Sequence, residues 1–240
     1  MLAEDHLMQA LDPLDAIEGT EVGLWVREHP GNVSEAAPTF PRMTTRALAT
    51  WNGSRSAGLD RLVDAHRAVA GVGSGRRWIT TEINHALIVR LASEFQGFCR
   101  DLHDEVALLL VASKLGSDPE FAGIVELLLG NGRKLDRRNA NWANVCDDFG
   151  RFGVPLADEL RDLNPSRYST WIAALDRLNN ARNAIVHDDR PKLVEWASIE
   201  PLTLKTFRRW RRVLGAITRG MDEVLRAYLT DDPAPGGNAG

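Results

Sequence analysis

The chain has 240 residues, 44% of them hydrophobic and 26% charged, with a formal net charge of -4. That balance fits one globular domain with or without appendages, and it excludes both a low-complexity chain and a uniformly basic nucleic-acid coat. Any contact with a polyanion has to come from local basic patches.

Along the chain, Met1 to Leu11 carries acids and no long apolar run, so it is not read as a signal peptide. Leu7 to Ile17 has the makings of a short helix. Breakers then crowd in at Pro30, Gly31, Pro38, Pro41, Gly53 and Gly58. Leu59, Leu62, Val63 and Val69 predict a helix from about Leu59 to Ala70, closed by Gly71, Gly73 and Gly75. Residues 1–75 are therefore expected to form an irregular N-terminal arm or small helical subdomain. Gly71 to Gly75 lacks the lysine and hydroxyl residue of a P-loop and reads as a hinge.

From Arg76 the spacing turns strongly helical. Ile79, Ile83, Leu87, Leu91, Phe95, Phe98, Leu102, Val106 and Leu109 recur at steps of three or four, which predicts one long amphipathic helix, bent or split. Its most apolar run, Val106 to Ala112, is far too short to span a bilayer, so no membrane contact is expected. Cys99 lies on it; with Cys146 it makes only two cysteines, so both are expected as reduced, buried thiols of a cytoplasmic protein. Asp118-Pro119 predicts a further helix start, with Ala122 to Leu129 as its body and Gly130-Asn131-Gly132 as its stop. Asn141 to Phe152 follows as a short helix. Asn164-Pro165 is expected to open another, running to about Asp188 and stopping before Pro191. The last helix is predicted from about Leu202 to Leu229, and residues 231–240, rich in Pro and Gly, as a disordered tail. No segment alternates convincingly, so the expected class is all-α.

The helix ending near Asp188 carries the chemistry. Its apolar stripe is Trp171, Leu175, Leu178 and Ile185, and at about 100° per residue Arg182 falls near the middle of it. A guanidinium on an apolar face needs a partner or a ligand. Asn179, Asn183 and His187 form a second line at steps of four on an adjacent face.

The string Leu178-Asn179-Asn180-Ala181-Arg182-Asn183-Ala184-Ile185-Val186-His187 resembles the R-N-x-x-x-H signature of HEPN domains. Ala92-Ser93-Glu94-Phe95, leading to Phe98 and Arg100-Asp101-Leu102, resembles the long early helix of the RiboL-PSP-HEPN subgroup. The stretch from Gly132-Arg133-Lys134-Leu135 through Asn141-Trp142 and Phe149-Gly150 is similar to that subgroup's middle part. The resemblance covers residues 76 to 230. One departure is that a glycine often follows the histidine in the family, where this chain has Asp188. The resemblance implies a HEPN-type helical bundle, a two-fold homodimer and endoribonuclease activity with neither metal nor other cofactor. It further implies a toxin or phage-defence effector, held in check by an antitoxin or other regulatory protein. On this expectation Arg182 grips phosphate as a forked donor, His187 moves protons near neutral pH, and Asn183 supports both. Glu94 is expected either to pair with Arg182 and fix its fork, or to be a surface carboxylate. The competing expectation is a non-catalytic RNA-binding or dimerisation module of the same fold.

Basic residues cluster twice. Lys205, Arg208, Arg209, Arg211 and Arg212 surround Trp210, and the candidates for an RNA backbone contact are Lys205, Arg208, Arg209 and Arg212. Trp210 is read as core, with Phe207 and Leu214. Arg133, Lys134, Arg137 and Arg138 form the second cluster. Cys99 and His103 share a helix face but lack further ligands for zinc, so they are read as packing, as is His85. No nucleophile elbow, H-E-x-x-H or dinucleotide fingerprint is present.

Overall fold

The computed structural model describes residues 44–70, 77–115 and 129–231. The protein is all-α: every regular element among the described residues is a helix. The expected helix over Leu7–Ile17, the glycine hinge at 71–75, residues 122–128 of the expected short helix and the tail from 232 lie outside the described residues.

One helix organises the rest. Helix α3, Arg77–Leu115, is a single unbroken run of 39 residues, where the sequence left open a bend or split. The predicted stripe supplies its core face: Leu87, Leu91, Phe95, Phe98, Leu102 and Val106 are all buried. Ile88, Cys99 and Ala107 are buried as well, so α3 is covered over much more than one stripe. Each large apolar side chain removed from water contributes about 1.5–3 kcal/mol, which is what holds so long a helix inside other helices.

The first cover is the segment before it. Helix α1, Arg46–Thr50, passes through one π-helical turn, Trp51–Arg55, into α2, Ser56–Ala70. The sequence treats Gly53 and Gly58 as breakers and starts a helix only near Leu59; the structure runs helically through both. Tertiary contacts override the weak propensity cost of glycine here. Trp51 is buried edge-on against Phe95 and Phe98, with centroids 6.4 and 5.9 Å away. Two carboxylates from distant parts of the chain satisfy the free N–H groups of α1. Glu105 on α3 accepts from Arg46 N at 2.9 Å and Ala47 N at 3.0 Å. Buried Asp222 accepts from Thr45 N at 2.9 Å and Thr45 Oγ1 at 2.6 Å, and its other oxygen from Arg226 Nε at 2.8 Å. Thr45 Oγ1 in turn caps Leu48 N. A boundary at residue 75 is therefore not a boundary between cores: Ala47, Leu48, Trp51, Leu59 and Val63 belong to one core with α3 and everything after it.

The remaining elements close round the other sides of α3. Gly132, at φ 76°, ends the preceding turn as the sequence predicts. Helix α4, Lys134–Arg137, is one turn whose first amides, Lys134 N and Leu135 N, bind the buried Asp148 carboxylate at 2.9 Å each. Helix α5, Trp142–Gly150, starts at Asn141, whose side chain accepts from Asn144 N. Helix α6, Leu156–Leu163, is not legible in the sequence; it buries only Leu156 and Leu160. Its existence moves the next start. Asn164 closes α6 rather than opening α7, which runs Tyr168–Val186. Helix α8, Arg190–Ile199, is likewise absent from the sequence reading. Pro191, read as a stop, sits in its first turn, where the missing N–H costs nothing. Helix α9, Leu204–Asp231, lays Phe207, Trp210, Leu214, Ile217, Met221 and Leu225 into the core. Helices α7 and α9 both pack on α3, whereas α8 rests chiefly on α7. Among the described residues no helix is long and apolar enough to cross a membrane.

Both thiols are free; Cys99 is buried and Cys146 half-buried. Burial pushes the Cys99 thiol well up, and that of Cys146 up to about 12. Under native conditions at pH 8 neither is expected to react with a disulfide reagent within minutes, while both react in denaturant; a thiol count by absorbance checks this. Asp222→Ala leaves Thr45 and Arg226 without their acceptor in a buried place. It is expected to lower stability by about 2–4 kcal/mol in urea unfolding, whereas loss of the exposed Asp64 partner of Arg67 is expected to change stability by less than about 1 kcal/mol.

Candidate functional site

The C-terminal half of α7 sets the site. Its buried residues are Trp171, Leu175, Leu178, Asn179, Ala181 and Ala184, and Ile185 is only partly buried. Leu175, Leu178, Ala181 and Ala184 follow one another in steps of three. Each such step falls short of a full turn by about 60°, so the buried line winds round the helix as it proceeds. Arg182 is consequently half-buried at the edge of the packed face and not in its middle. The expectation of a centrally buried guanidinium is corrected on that ground.

At this edge Arg182 Nη1 donates to Asn183 Oδ1 at 3.1 Å. The same oxygen accepts from Asn139 Nδ2, from the α4–α5 connection, at 2.7 Å. No carboxylate among the described residues lies within ion-pair distance of Arg182. Asn183 thus fixes the base of the guanidinium and ties α7 to the connection; it makes no side-chain bond to His187 among the described residues. Asn179, placed by spacing on the line of Asn183 and His187, is structural: its amide donates to Leu175 O and Ala140 O at 3.0 and 3.2 Å.

His187 is the last residue of the α7 turn, with an exposed side chain. The backbone leaves the helix there by a two-bond closure. Asp188 N donates to Ile185 O at 3.2 Å and Asp189 N to Ala184 O at 2.9 Å. That closure puts Asp188 at φ 46°, the only non-glycine residue at positive φ among the described residues. The position is one that favours glycine, and this chain fills it with an aspartate. The Asp188 carboxylate points toward Arg190, 3.5 Å from its Nε. Asp189 caps α8 through Lys192 N, and the hydrogen bonds from Lys192 hold its carboxyl below the usual range.

Glu94 is buried, contrary to the surface reading, but its partners are not Arg182. Its Oε2 accepts from Arg55 Nη1 and its Oε1 from Arg90 Nε, both at 2.6 Å. The sequence offers no route to Arg55, which comes from the segment read as an arm.

Of the first basic cluster, Lys205, Arg208, Arg209 and Arg212 are exposed on α9, opposite buried Phe207 and Trp210. Trp210 is core, and its ring meets Trp196 edge-on at 6.5 Å. Arg209 pairs with Glu200, and Arg211 with Asp60 on α2. In the second cluster Arg133 pairs with Asp104 and Asp136, and Lys134 with Asp147, so half of it is internal bracing. Cys99 and His103 are both fully buried, the His103 ring lying 4.4 Å from that of Phe152. No group of three or more His, Cys, Asp or Glu side chains among the described residues could hold a metal ion.

The chain matches no protein-family model, and neither a characterised protein nor a solved structure matches it. Its site therefore has to be argued from its own residues.

The strained position gives a test of the helix end. Asp188→Gly is expected to raise stability by about 0.5–1 kcal/mol, and Asp188→Val to lower it by about 1 kcal/mol or more, in urea unfolding. Equal stability of all three chains would show that the closure is not formed in solution.

Proposed function

We propose that the protein is a metal-independent endoribonuclease of the HEPN type, with Arg182, Asn183 and His187 as its working residues. The observation that carries this reading is a half-buried guanidinium with no acid partner among the described residues, braced by an amide and followed within five residues by an exposed imidazole. A guanidinium so placed keeps donors for phosphate oxygens.

The reaction needs little else. The 2′-hydroxyl of RNA attacks the adjacent phosphorus, the P–O5′ bond breaks, and the products are a 2′,3′-cyclic phosphate and a 5′-hydroxyl. One proton leaves the 2′-oxygen and one must reach the 5′-oxygen. Imidazole serves both ends near neutral pH, and Arg182 stabilises the more anionic phosphorane between them. One chain offers one His187. A two-fold dimer built on this helix end would set two Arg182 and two His187 in one cleft. Supporting that arrangement, Val186 within the motif and Val194 just after it are large apolar side chains left 49% and 72% exposed. The biological setting that goes with this reading is a toxin or phage-defence effector under the control of a protein partner.

A second reading, an RNA-binding or dimerisation module without catalysis, is favoured by one feature. Asp188, next in the chain after His187, adds a carboxylate near the motif, and negative charge there opposes phosphate binding. The two separate cleanly. Purified protein is incubated with mixed RNA in excess EDTA, and cyclic-phosphate ends are scored. Cleavage is expected, reduced about 10²–10⁴-fold in His187→Ala and comparably in Arg182→Ala. Arg182→Lys is expected to recover little, because a point charge does not replace a fork. Cleavage unchanged in His187→Ala, or seen only with added metal, overturns the nuclease reading; binding without cleavage by the parent chain establishes the module.

A further inference from the structure

A second polar feature lies on α3, away from the motif. A cavity of about 450 Å³ opens between the π-helical turn and α3, and Arg55, Arg90, Glu94, Gly97, Arg100 and Asp101 line it. We propose that it binds a phosphate group of the RNA strand whose scissile phosphate lies on Arg182. The proposal rests on the RNA-cleaving reading above and adds to it a place where the strand is gripped.

The pocket is constructed around one arginine. The π-helical turn inserts an extra residue into the Arg46–Ala70 run and ends at Arg55, and such single-turn bulges recur where side chains are aimed at a function. The Arg55 side chain then crosses α3 at Gly97. A Cβ there would come within 2.8 Å of the guanidinium carbon, so any larger residue would push the Arg55 tip off this position. Glu94 and Asp101 hold its two ends, at 2.6 and 2.7 Å. Burial works against the Arg55 charge, yet the bonds from Asp101 and Glu94 more than offset this and raise its pKa. Both carboxylates of the cavity are thereby engaged, Glu94 on both oxygens.

The donors are not all engaged. Three guanidiniums face the two lining carboxylates, and a third carboxylate, Asp136, lies 3.6 Å from Arg100 Nε. Arg90 gives Nε and Nη2 to Glu94, and Arg100 gives Nε to Leu135 O at 3.0 Å. Arg90 Nη1 and both Nη atoms of Arg100 donate to nothing among the described residues, and these side chains are 56% and 40% exposed at the rim. The unused donors of Arg90 and Arg100 suit an anionic, acceptor-rich group. A phosphodiester is such a group. The cavity also connects to the motif through two consecutive residues. Gln96 Nε2 on the cavity wall donates to Arg138 O at 2.9 Å, and Asn139 is the residue that holds Asn183. On this proposal the strand extends from Arg182 across that connection toward Arg100 and Arg90.

The test uses the whole chain and a short 2′-O-methyl RNA, which binds without being cut. The Arg90→Gln/Arg100→Gln chain, checked for an unchanged melting profile, is expected to bind it about tenfold more weakly. The slope of log K against log salt is expected to fall by about 0.7 for each phosphate that the variant no longer neutralises. Arginine-directed phenylglyoxal labelling of the unaltered chain gives a readout that needs no variant: the oligonucleotide is expected to protect Arg90 and Arg100. Inorganic phosphate alone is expected to protect only at millimolar levels; protection by phosphate as strong as by the oligonucleotide would assign the pocket to a free anion and overturn the strand contact. Unchanged affinity and salt slope in the double variant, or no protection, also overturns it, whether or not the parent cleaves. Binding that depends on these arginines in a chain that never cleaves leaves the pocket standing and removes the nuclease reading alone.

Discussion

Glu94 is a buried carboxylate on the core face of α3, between Ala92 and Phe95 and one turn before Phe98. Burying such a charge costs several kcal/mol unless partners satisfy it. Arg90 lies on the same helix and can be supplied locally, but the second oxygen needs a guanidinium from elsewhere. Arg55 meets that need only if the Arg46–Ala70 segment lies flat on α3, if a π-turn rotates residue 55 inward, and if position 97 has no side chain. The same docking buries Trp51 on Phe95 and Phe98, and it brings the α1 amides to Glu105 and Thr45 to Asp222. One buried charge thus constrains the placement of 25 residues that the sequence leaves as an arm.

What can be read in advance follows from how far each signal reaches along the chain. The α3 stripe is a local pattern repeated nine times, so it survives any tertiary detail. Gly132 as a stop is local too; Asn141, read as the first residue of a helix, proves to be the cap just outside it. Helix α8 is invisible because it buries nothing: with no residue in the core it has no apolar stripe to detect. Helix α6 is eight residues long with two buried leucines, too short a window for periodicity. Gly53 and Gly58 mislead because their propensity cost, about 1 kcal/mol each, is smaller than what Trp51 alone gains by burial.

The candidate site divides in the same way. Arg182, Asn183 and His187 are visible as a linear motif within six residues. Their support is not, since Asn139 sits 44 positions away from Asn183. Nor does the spacing reveal that steps of three carry the buried line past Arg182. An ideal wheel built on Trp171, Leu175 and Leu178 puts the guanidinium inward; Ala181 and Ala184, which look like filler, are where the helix goes on packing. Small residues let helices approach closely while contributing little to any hydrophobic pattern, so they hide the direction in which a contact face turns.

The connection between α4 and α5 links the two polar features. Residues 138 and 139 are both held, the first by Gln96 through its carbonyl and the second through its side chain to Asn183. Asn139 O also accepts from buried Asn144, and Leu135 O from Gln96 and Arg100. A shift of α3 relative to α7 would break several of these bonds together, so the Arg182 edge and the Arg55 cavity keep a common register. For a strand-cutting enzyme such rigidity has a direct use. A phosphate gripped at one point positions the next only if the distance between the grips is fixed, and a misplacement on the order of 1 Å at the reacting atoms costs about 10²-fold in rate. On the proposed reading that distance would be set by the side-chain amides and main-chain carbonyls that tie α3 and α7 to the α4–α5 connection.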